Sequence, residues 1–208
     1  MKASALIRYF TFFWVAILSI ATLEYIQLKP DTGFLKLKQE AVNTGWYLPA
    51  FHSHIFGSSI ILLAGFFQFS EWVRNNIKLH RLLGRVYVYG ILFFAAPGAY
   101  VMCFFINRGN GVFASFLLQN SLWIVFTLSS VLAAKQGDIN RHRAMACRSY
   151  ALAFAAVTLR FYIWLFNVLG NGVNFENNYL IIALASWIPN LLIAEWVIGW
   201  RRNYPVNR

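Results

Sequence analysis

Six long apolar stretches, separated by short polar connections, constrain this chain of 208 residues more than any other feature. They cover residues 9–27, 51–72, 84–107, 113–135, 144–167 and 179–200. Each reaches the roughly 20 residues that an α-helix needs to cross a hydrocarbon core about 30 Å thick. Helices also satisfy the backbone polar groups within lipid. The sequence therefore predicts an all-α, polytopic membrane bundle of six transmembrane helices that forms one integral membrane domain over residues 1–208.

The positive charges follow the alternation of the connections. When the N-terminus is placed inside, thirteen of the 18 lysines and arginines fall on the cytoplasmic side, four fall on the other side, and Arg160 is left within the membrane. Positive residues bias a segment to the cytoplasm, so we predict that both termini are cytoplasmic. This pattern is typical of an integral protein of a bacterial cytoplasmic membrane.

The net charge of +11 has the same explanation. Basic residues beside an anionic leaflet each gain about 1 kcal/mol near the surface. The lipid bilayer, with anionic lipids at the cytoplasmic face, is therefore the expected partner, and nucleic acid is not expected as one.

Two inner connections carry a similar pattern. His80-Arg81 and His142-Arg143 are each followed by a spacer, an arginine, one residue and a tyrosine, with one extra residue in the second copy. Each copy opens a helix that rises from the cytoplasmic face. Duplication of a helix pair and chance similarity between basic membrane borders both account for this match.

The second stretch contains two histidines, His52 and His54. Residues two apart point to nearly opposite faces of a helix, so only one of them can point inward. The face headed by His54 continues through small and polar residues to Gln68, whereas the face headed by His52 is more apolar. We therefore predict that His54 points into the bundle and that His52 is interfacial.

Charged residues within the apolar stretches are expected to face the bundle interior, because a charge in lipid is costly. At 100° per residue, Arg160 shares a narrow stripe of small residues with His142. Glu24 lies at nearly the same depth in the first stretch, so we predict a buried pair of Arg160 with Glu24. The candidate partners of Glu195, near the inner end of the sixth stretch, are Arg81, Arg148 and His142.

Three segments together resemble a known family: HRLLGRVY over residues 80–87, Gly137-Asp138, and His142-Arg143 followed by RSYALAFAAVTLR over residues 148–160. They are similar to the predicted membrane proteins grouped as domain of unknown function 2306, over about residues 51–200. The chain departs from the family pattern at Met145 and Ala146, where such proteins tend to carry Trp and then Met. The resemblance implies a core of residues 51–200 with the first helix, residues 9–27, peripheral to it.

The helical plan of that family is similar, at the level of fold only, to the transmembrane b-type cytochromes and ferric reductases. Haem b held by two imidazoles needs histidines from two facing helices, with cations near its propionates. The sequence therefore leads to the hypothesis of a haem b electron-transfer protein, with no metal predicted beyond the haem iron. The inner ligands and their neighbouring cations are predicted to be His80, His142, Arg81 and Arg143. His54 with Met102 is the weaker, outer candidate.

Two other functions stay open. A carrier or small-molecule binding protein would use the polar residues within the membrane, which are Arg160, Gln68 and Glu195. A non-catalytic membrane component would instead bind anionic lipid or an assembly partner through its basic loops. The sequence contains no nucleotide-binding loop, metalloprotease helix or nucleophile elbow, so enzymes of those kinds are disfavoured and no catalytic residue is predicted.

Overall fold

The computed structural model describes residues 2–169 and 178–203, and over those ranges the chain is helical without a strand. We number its long helices α1 (Lys2–Ala21), α2 (Tyr47–Gln68), α3 (Ile77–Phe104), α4 (Asn110–Lys135), α5 (Ile139–Val168) and α6 (Asn178–Asn203). Five helices among the described residues, α2 to α6, are long and apolar enough to cross a membrane. The predicted all-α, multi-pass architecture is confirmed at that level.

Helices α3 and α5 begin earlier than hydropathy predicts, at Ile77 rather than residue 84 and at Ile139 rather than residue 144. Each start has a polar cap. The Asn76 side chain accepts a hydrogen bond from the Leu79 amide, and the Asp138 side chain accepts one from the Arg141 amide. Such caps satisfy amides of the first turn that have no partner within the helix. The first turns of α3 and α5 are therefore helical although they lie outside the apolar stretches of the sequence.

Residues 1–105 form one compact unit. Helix α1 ends at Ala21 and continues into a 3₁₀ turn, Thr22–Tyr25, rather than as an α-helix to residue 27. A 3₁₀ segment, Gly33–Lys38, and a short helix, Gln39–Val42, then lead to α2. Helix α2 packs along α3 and also contacts α1.

Helix α3 is irregular at its centre, where the five residues Ile91–Ala95 form a π-turn. Pro97 follows this turn and cannot donate an amide hydrogen bond to the preceding turn. Two side chains of α2 bind the carbonyls here: Ser53 Oγ donates to the Phe94 carbonyl at 3.1 Å, and His54 Nδ1 contacts the Ala95 carbonyl at 2.8 Å. The irregularity of α3 therefore lies just before Pro97.

Residues 106–208 form the second compact unit, in which α4 packs against α5 and α6 packs against α4 and α5. Helix α5 consists of two segments, Ile139–Ala153 and Ala155–Val168, with Phe154 between them. Helix α6 contains Pro189 near its middle. An interruption and a proline therefore both occur at about the centre of membrane-spanning helices in this unit.

Candidate functional site

His142 lies in the first turn of α5 and is held against α4. Its Nδ1 atom is 3.0 Å from both the carbonyl oxygen and the hydroxyl of Ser130, and the Ser130 hydroxyl donates to the His142 carbonyl at 3.3 Å. A carbonyl oxygen only accepts, so the bond to the Ser130 carbonyl places a proton on Nδ1. In the neutral ring the lone pair is then on Nε2. Metal-binding histidines generally have this arrangement, with the other ring N–H donated to a carbonyl or carboxylate.

His80 lies at the equivalent position in the first unit, in the first turn of α3. Gln68, the last residue of α2, donates from Nε2 to the His80 carbonyl at 2.6 Å. Gln68 therefore lies at the end of the α2–α3 contact where α3 begins. His80 itself is half-buried, whereas its neighbour Arg81 is exposed, as is Arg143 beside His142.

The start of α3 also carries a basic cleft of about 270 Å³. The side chains that line it repeat at helical spacing and lie on one face of the helix. They are Lys78, Arg81, Leu82 and Arg85. Three cations at one cleft can bind an anionic group such as a phosphate.

At Gly98, between the residues of the predicted outer haem site of His54 and Met102, α2 and α3 approach closely. A Cβ atom on Gly98 would lie 2.5 Å from the Ala50 carbonyl oxygen and 2.9 Å from His54 Cβ, so the two backbones are in contact at this level. Met102, one turn further along α3, packs against the apolar cluster around Phe51. His54 does point towards α3, but its Nδ1 atom serves the π-turn.

His52 is the buried histidine of α2, and the prediction that it is interfacial is wrong. Its side chain is 9% exposed, its ring stacks on Phe56 at 5.9 Å, and it is hydrogen-bonded to the backbone of Leu48. Its Nε2 atom is buried and has no hydrogen-bond partner among the described residues. The sequence offered no signal for this, because the aromatic neighbours that cover His52 made its helix face look apolar.

Glu195 pairs with Arg148, one of its three predicted partners. The contact is bidentate, with Arg148 Nε at 2.5 Å from Oε1 and an Arg148 terminal nitrogen at 2.7 Å from Oε2. The Arg148 guanidinium also lies 6.0 Å from the centre of the Phe126 ring. The charges of Arg148 on α5 and Glu195 on α6 thus neutralise each other within the second unit.

The predicted burial of Arg160 and Glu24 is wrong, because both residues are exposed. Glu24 belongs to the 3₁₀ turn after α1, where its carboxylate lies beside Gly33. Their mutual pairing stays a prediction. In the same unit as Arg160, the Tyr179 ring lies 4.8 Å from the Arg108 guanidinium. Burial lowers the pKa of Arg108, in the connection between α3 and α4, and Tyr179 opposes that shift.

The sequence interpretation missed a buried polar stripe on α4. Its members recur every three or four residues and so share one face of the helix. They are Ser115, Gln119, Trp123, Thr127 and Ser130. Thr127 and Ser149 of α5 share a hydroxyl hydrogen bond of 2.8 Å, and the Trp187 indole of α6 donates to Ser115 at 3.0 Å. The same helical phase of 100° per residue that relates Arg160 to His142 on α5 also brings these residues of α4 onto one face.

The interruption of α5 receives hydrogen bonds from both neighbouring helices. Asn190 of α6 donates to the Ala151 carbonyl at 3.3 Å, and Gln119 of α4 donates to the Leu152 carbonyl at 3.4 Å. Both carbonyls belong to the last turn of the first α5 segment, where the regular series of amide partners ends; the Leu152 carbonyl also accepts from the Phe154 amide. The second unit therefore has a polar centre built from three helices.

The comparisons with known proteins agree with the membrane architecture. The model of a family described as predicted membrane protein (DUF2306) matches residues 51–198, which is well over half of the chain. The chain belongs to this family. The match begins within α2 and ends within α6, so the DUF2306 region contains both first-turn histidines and the interruption of α5. No curated protein and no solved structure matches the chain.

No cluster of three or more His, Cys, Asp or Glu side chains that could hold a metal ion occurs among the described residues. Haem iron makes a smaller demand, because the macrocycle supplies four ligands and the protein supplies only axial ones.

Proposed function

We propose that this DUF2306 protein crosses the membrane six times, with both termini on the cytoplasmic side of a bacterial plasma membrane. Helix α1 has 20 residues and is the sixth span in addition to α2 to α6. The support is the unequal distribution of basic residues between alternate connections. Reporter fusions after Asn107 and after Asn171 should report the outside, and a fusion after Arg208 the inside; the last two positions lie outside the described residues. An outside signal from the C-terminus would contradict six spans.

We further propose that the protein binds haem b and transfers electrons across or along the membrane. The observation that carries this proposal is the hydrogen bond from His142 Nδ1 to the Ser130 carbonyl. A proton on Nδ1 leaves the lone pair on Nε2, the atom through which an axial histidine binds iron. His80 is the second ligand that the sequence predicts, since it occupies the same first-turn position in α3.

The early helix starts also support the proposal. Hydropathy alone would leave both histidines in loops, where a ring is poorly fixed. The caps at Asn76 and Asp138 instead place them on rigid helical turns. The adjacent Arg81 and Arg143 are exposed and can pair with carboxylates such as haem propionates. Haem, when bound, supplies reversible one-electron chemistry at its iron; the protein supplies the ligands, their orientation and the cations.

The test is the visible spectrum of the protein purified in mild detergent from cells supplied with haem precursors. We expect a Soret band that shifts on reduction with dithionite. His142→Ala and His80→Ala should each lose most of the bound haem, measured as the pyridine haemochrome per protein. The matched control is Ser130→Ala, which keeps the carbonyl that orients His142 and should therefore keep the haem.

Absence of a Soret band in the wild-type protein that is monodisperse in detergent would contradict this function. So would full haem content in both histidine variants, because bound haem would then have other ligands.

The basic cleft at the start of α3 favours a second candidate function, that of a membrane component that binds anionic lipid. Lys78, Arg81 and Arg85 line this cleft, at the border predicted to be cytoplasmic. Native mass spectrometry should show phosphatidylglycerol retained in preference to phosphatidylcholine. Arg81→Gln with Arg85→Gln should remove that preference, and Arg141→Gln with Arg143→Gln, at the start of α5, is the charge-matched control.

A further inference from the structure

The interruption of α5 lies at the middle of a helix of 30 residues that is long and apolar enough to cross a membrane. The dihedral angles of Phe154 are helical, but the regular run of helical hydrogen bonds is interrupted there. Carbonyls without helical partners are tolerated at such a depth only where they are buried in protein or line a polar cavity. Broken helices in membrane proteins often provide binding sites for this reason. The polar atoms around Phe154 are therefore expected to have hydrogen-bond partners on neighbouring helices or on a bound molecule.

On the α6 side, side chains bind the carbonyls next to the interruption. Asn190 Nδ2 is within 3.3 Å of the Ala151 carbonyl and within 3.0 Å of both the Thr158 hydroxyl and the Ser186 carbonyl. The Thr158 hydroxyl also donates to the Ser186 carbonyl at 2.5 Å. These contacts join α5 and α6 across the interruption and near Pro189 of α6.

On the α4 side, two buried polar atoms lack a hydrogen-bond partner among the described residues. Gln119 uses its Nε2 atom on the Leu152 carbonyl, but its Oε1 atom is buried and has no hydrogen-bond partner among the described residues. One turn further along the same face, the Trp123 side chain is 6% exposed and its Nε1 atom is likewise buried without a partner in the described part of the chain. One of these atoms is an acceptor and the other is a donor.

We propose that Gln119 and Trp123 bind the hydroxyl group of a small neutral molecule beside the interruption of α5. A hydroxyl group can donate to Gln119 Oε1 and accept from Trp123 Nε1 at the same time, which neither a carbonyl nor an ammonium group can do. Buried polar groups that lack a protein partner are commonly satisfied in this way by a water or a ligand. The occupant is either a water molecule or a lipid-soluble phenol or alcohol such as a quinol.

The occupant is neutral because the side chains that surround this centre are neutral amides, hydroxyls and an indole. The charged pair of this unit, Arg148 with Glu195, is already bidentate and balanced. An ion would therefore be desolvated without a counter-charge, at a large cost. The inference is independent of haem, since neither residue lies at a first-turn histidine.

The test is a double-mutant cycle of Gln119→Leu and Trp123→Phe, followed by the apparent Tm in detergent. If a bound hydroxyl bridges the two side chains, each single variant loses the bridge and should lower Tm by about 2–4 °C. The double variant should then be no less stable than the worse single variant, because the bridge can be lost only once. If Trp123→Phe instead raises Tm or leaves it unchanged, or if the two effects simply add, the proposal is wrong.

Control variants show whether the effect depends on the positions of Gln119 and Trp123 or only on the kinds of residue that are replaced. Trp164→Phe changes an indole that is 55% exposed on α5, and Gln136→Leu changes an exposed amide at the end of α4. Neither should reproduce the coupling.

A second arm distinguishes the two sources of the hydroxyl group. Titration with hydroquinone should raise the Tm of the wild-type protein and not that of Trp123→Phe if the site takes a phenol. If the Tm effects of the two substitutions are coupled but hydroquinone does not change the Tm, the bound hydroxyl group belongs to a water molecule. Absence of coupling overturns both assignments.

Discussion

The helix pairs α2–α3 and α4–α5 share one structural plan but differ in the residues that fill the contact between their helices. In each pair, the later helix starts at a polar cap, has a histidine in its first turn and is irregular near its centre. In each pair, a residue of the earlier helix binds that histidine from 12 positions upstream, Gln68 for His80 and Ser130 for His142. The two pairs are related by one offset of 62 residues, from 68 to 130 and from 80 to 142. This agreement supports duplication over chance similarity.

The difference lies in what fills the contact between the helices. In the first pair the crossing depends on glycine: a Cβ atom on Gly57 would lie 2.9 Å from Phe94 Cβ, and one on Gly98 would lie 2.5 Å from the Ala50 carbonyl. In the second pair polar side chains occupy the contact, with Thr127 on Ser149 and Gln119 on the Leu152 carbonyl. Close backbone packing leaves no room for a ligand, whereas side-chain hydrogen bonding can leave polar atoms for one. The second pair is therefore where we place the hydroxyl site.

The largest expected effect tests the glycine crossing. Gly98→Leu should destabilise the protein by about 3 kcal/mol or more, because its side chain would meet the α2 backbone and the helices would have to separate. The measurement is the yield of monodisperse protein and its apparent Tm. The control is Gly199→Leu in α6, where an added Cβ has no atom within 4 Å and the effect should stay within about 1 kcal/mol. Equal tolerance at both positions would show that the crossing does not depend on Gly98.

The two helix irregularities should respond unequally to loss of their capping side chains. Asn190→Leu removes the amide that contacts three acceptors around the α5 interruption, with an expected loss of about 2 kcal/mol. Ser53→Ala removes one bond to the Phe94 carbonyl, and about 0.6 kcal/mol is expected, the average for interhelical hydrogen bonds in membranes. Denaturation in mixed micelles measures both. A larger loss for Ser53→Ala would reverse the comparison.

The smallest effect concerns the contacts at the histidine ends of the pairs. Gln68→Leu removes the donor to the His80 carbonyl, and Ser130→Ala removes a hydroxyl but leaves the carbonyl that binds His142 Nδ1. We expect each to cost about 0.6 kcal/mol, so that the two pairs behave alike here. The double variant should be additive, since the contacts belong to separate units. Strong coupling between them would indicate a structural link that the duplicated plan does not require.

Much of the fold could be predicted because membrane insertion depends on summed hydropathy. The length of the apolar stretches and their basic flanks were enough for the helical, multi-pass architecture. The helix starts were missed by five to seven residues, since polar caps at Asn76 and Asp138 extend α3 and α5 into sequence that is not apolar. The ion pair of Glu195 with Arg148 was among the alternatives, because the sequence predicts both residues towards the inner ends of their helices.

The site was predicted less well, because depth in the membrane does not determine which face of a helix is covered. Arg160 and Glu24 share a depth in the sequence pattern, yet both are exposed. His52 appeared peripheral and is buried under aromatic rings, whereas the π-turn of α3 takes the Nδ1 atom of His54.

The sequence by itself determined that this protein is a helical membrane protein of the DUF2306 family, because hydropathy and charge act on each segment independently of its neighbours. Only the tertiary structure decided which side chains complete one another. The π-turn of α3 and the interruption of α5 expose carbonyls whose partners lie on other helices, at distances along the chain that no local pattern encodes. The polar atoms of Gln119 and Trp123 gained significance for the same reason: whether a buried donor or acceptor has a partner depends on what neighbouring helices place beside it.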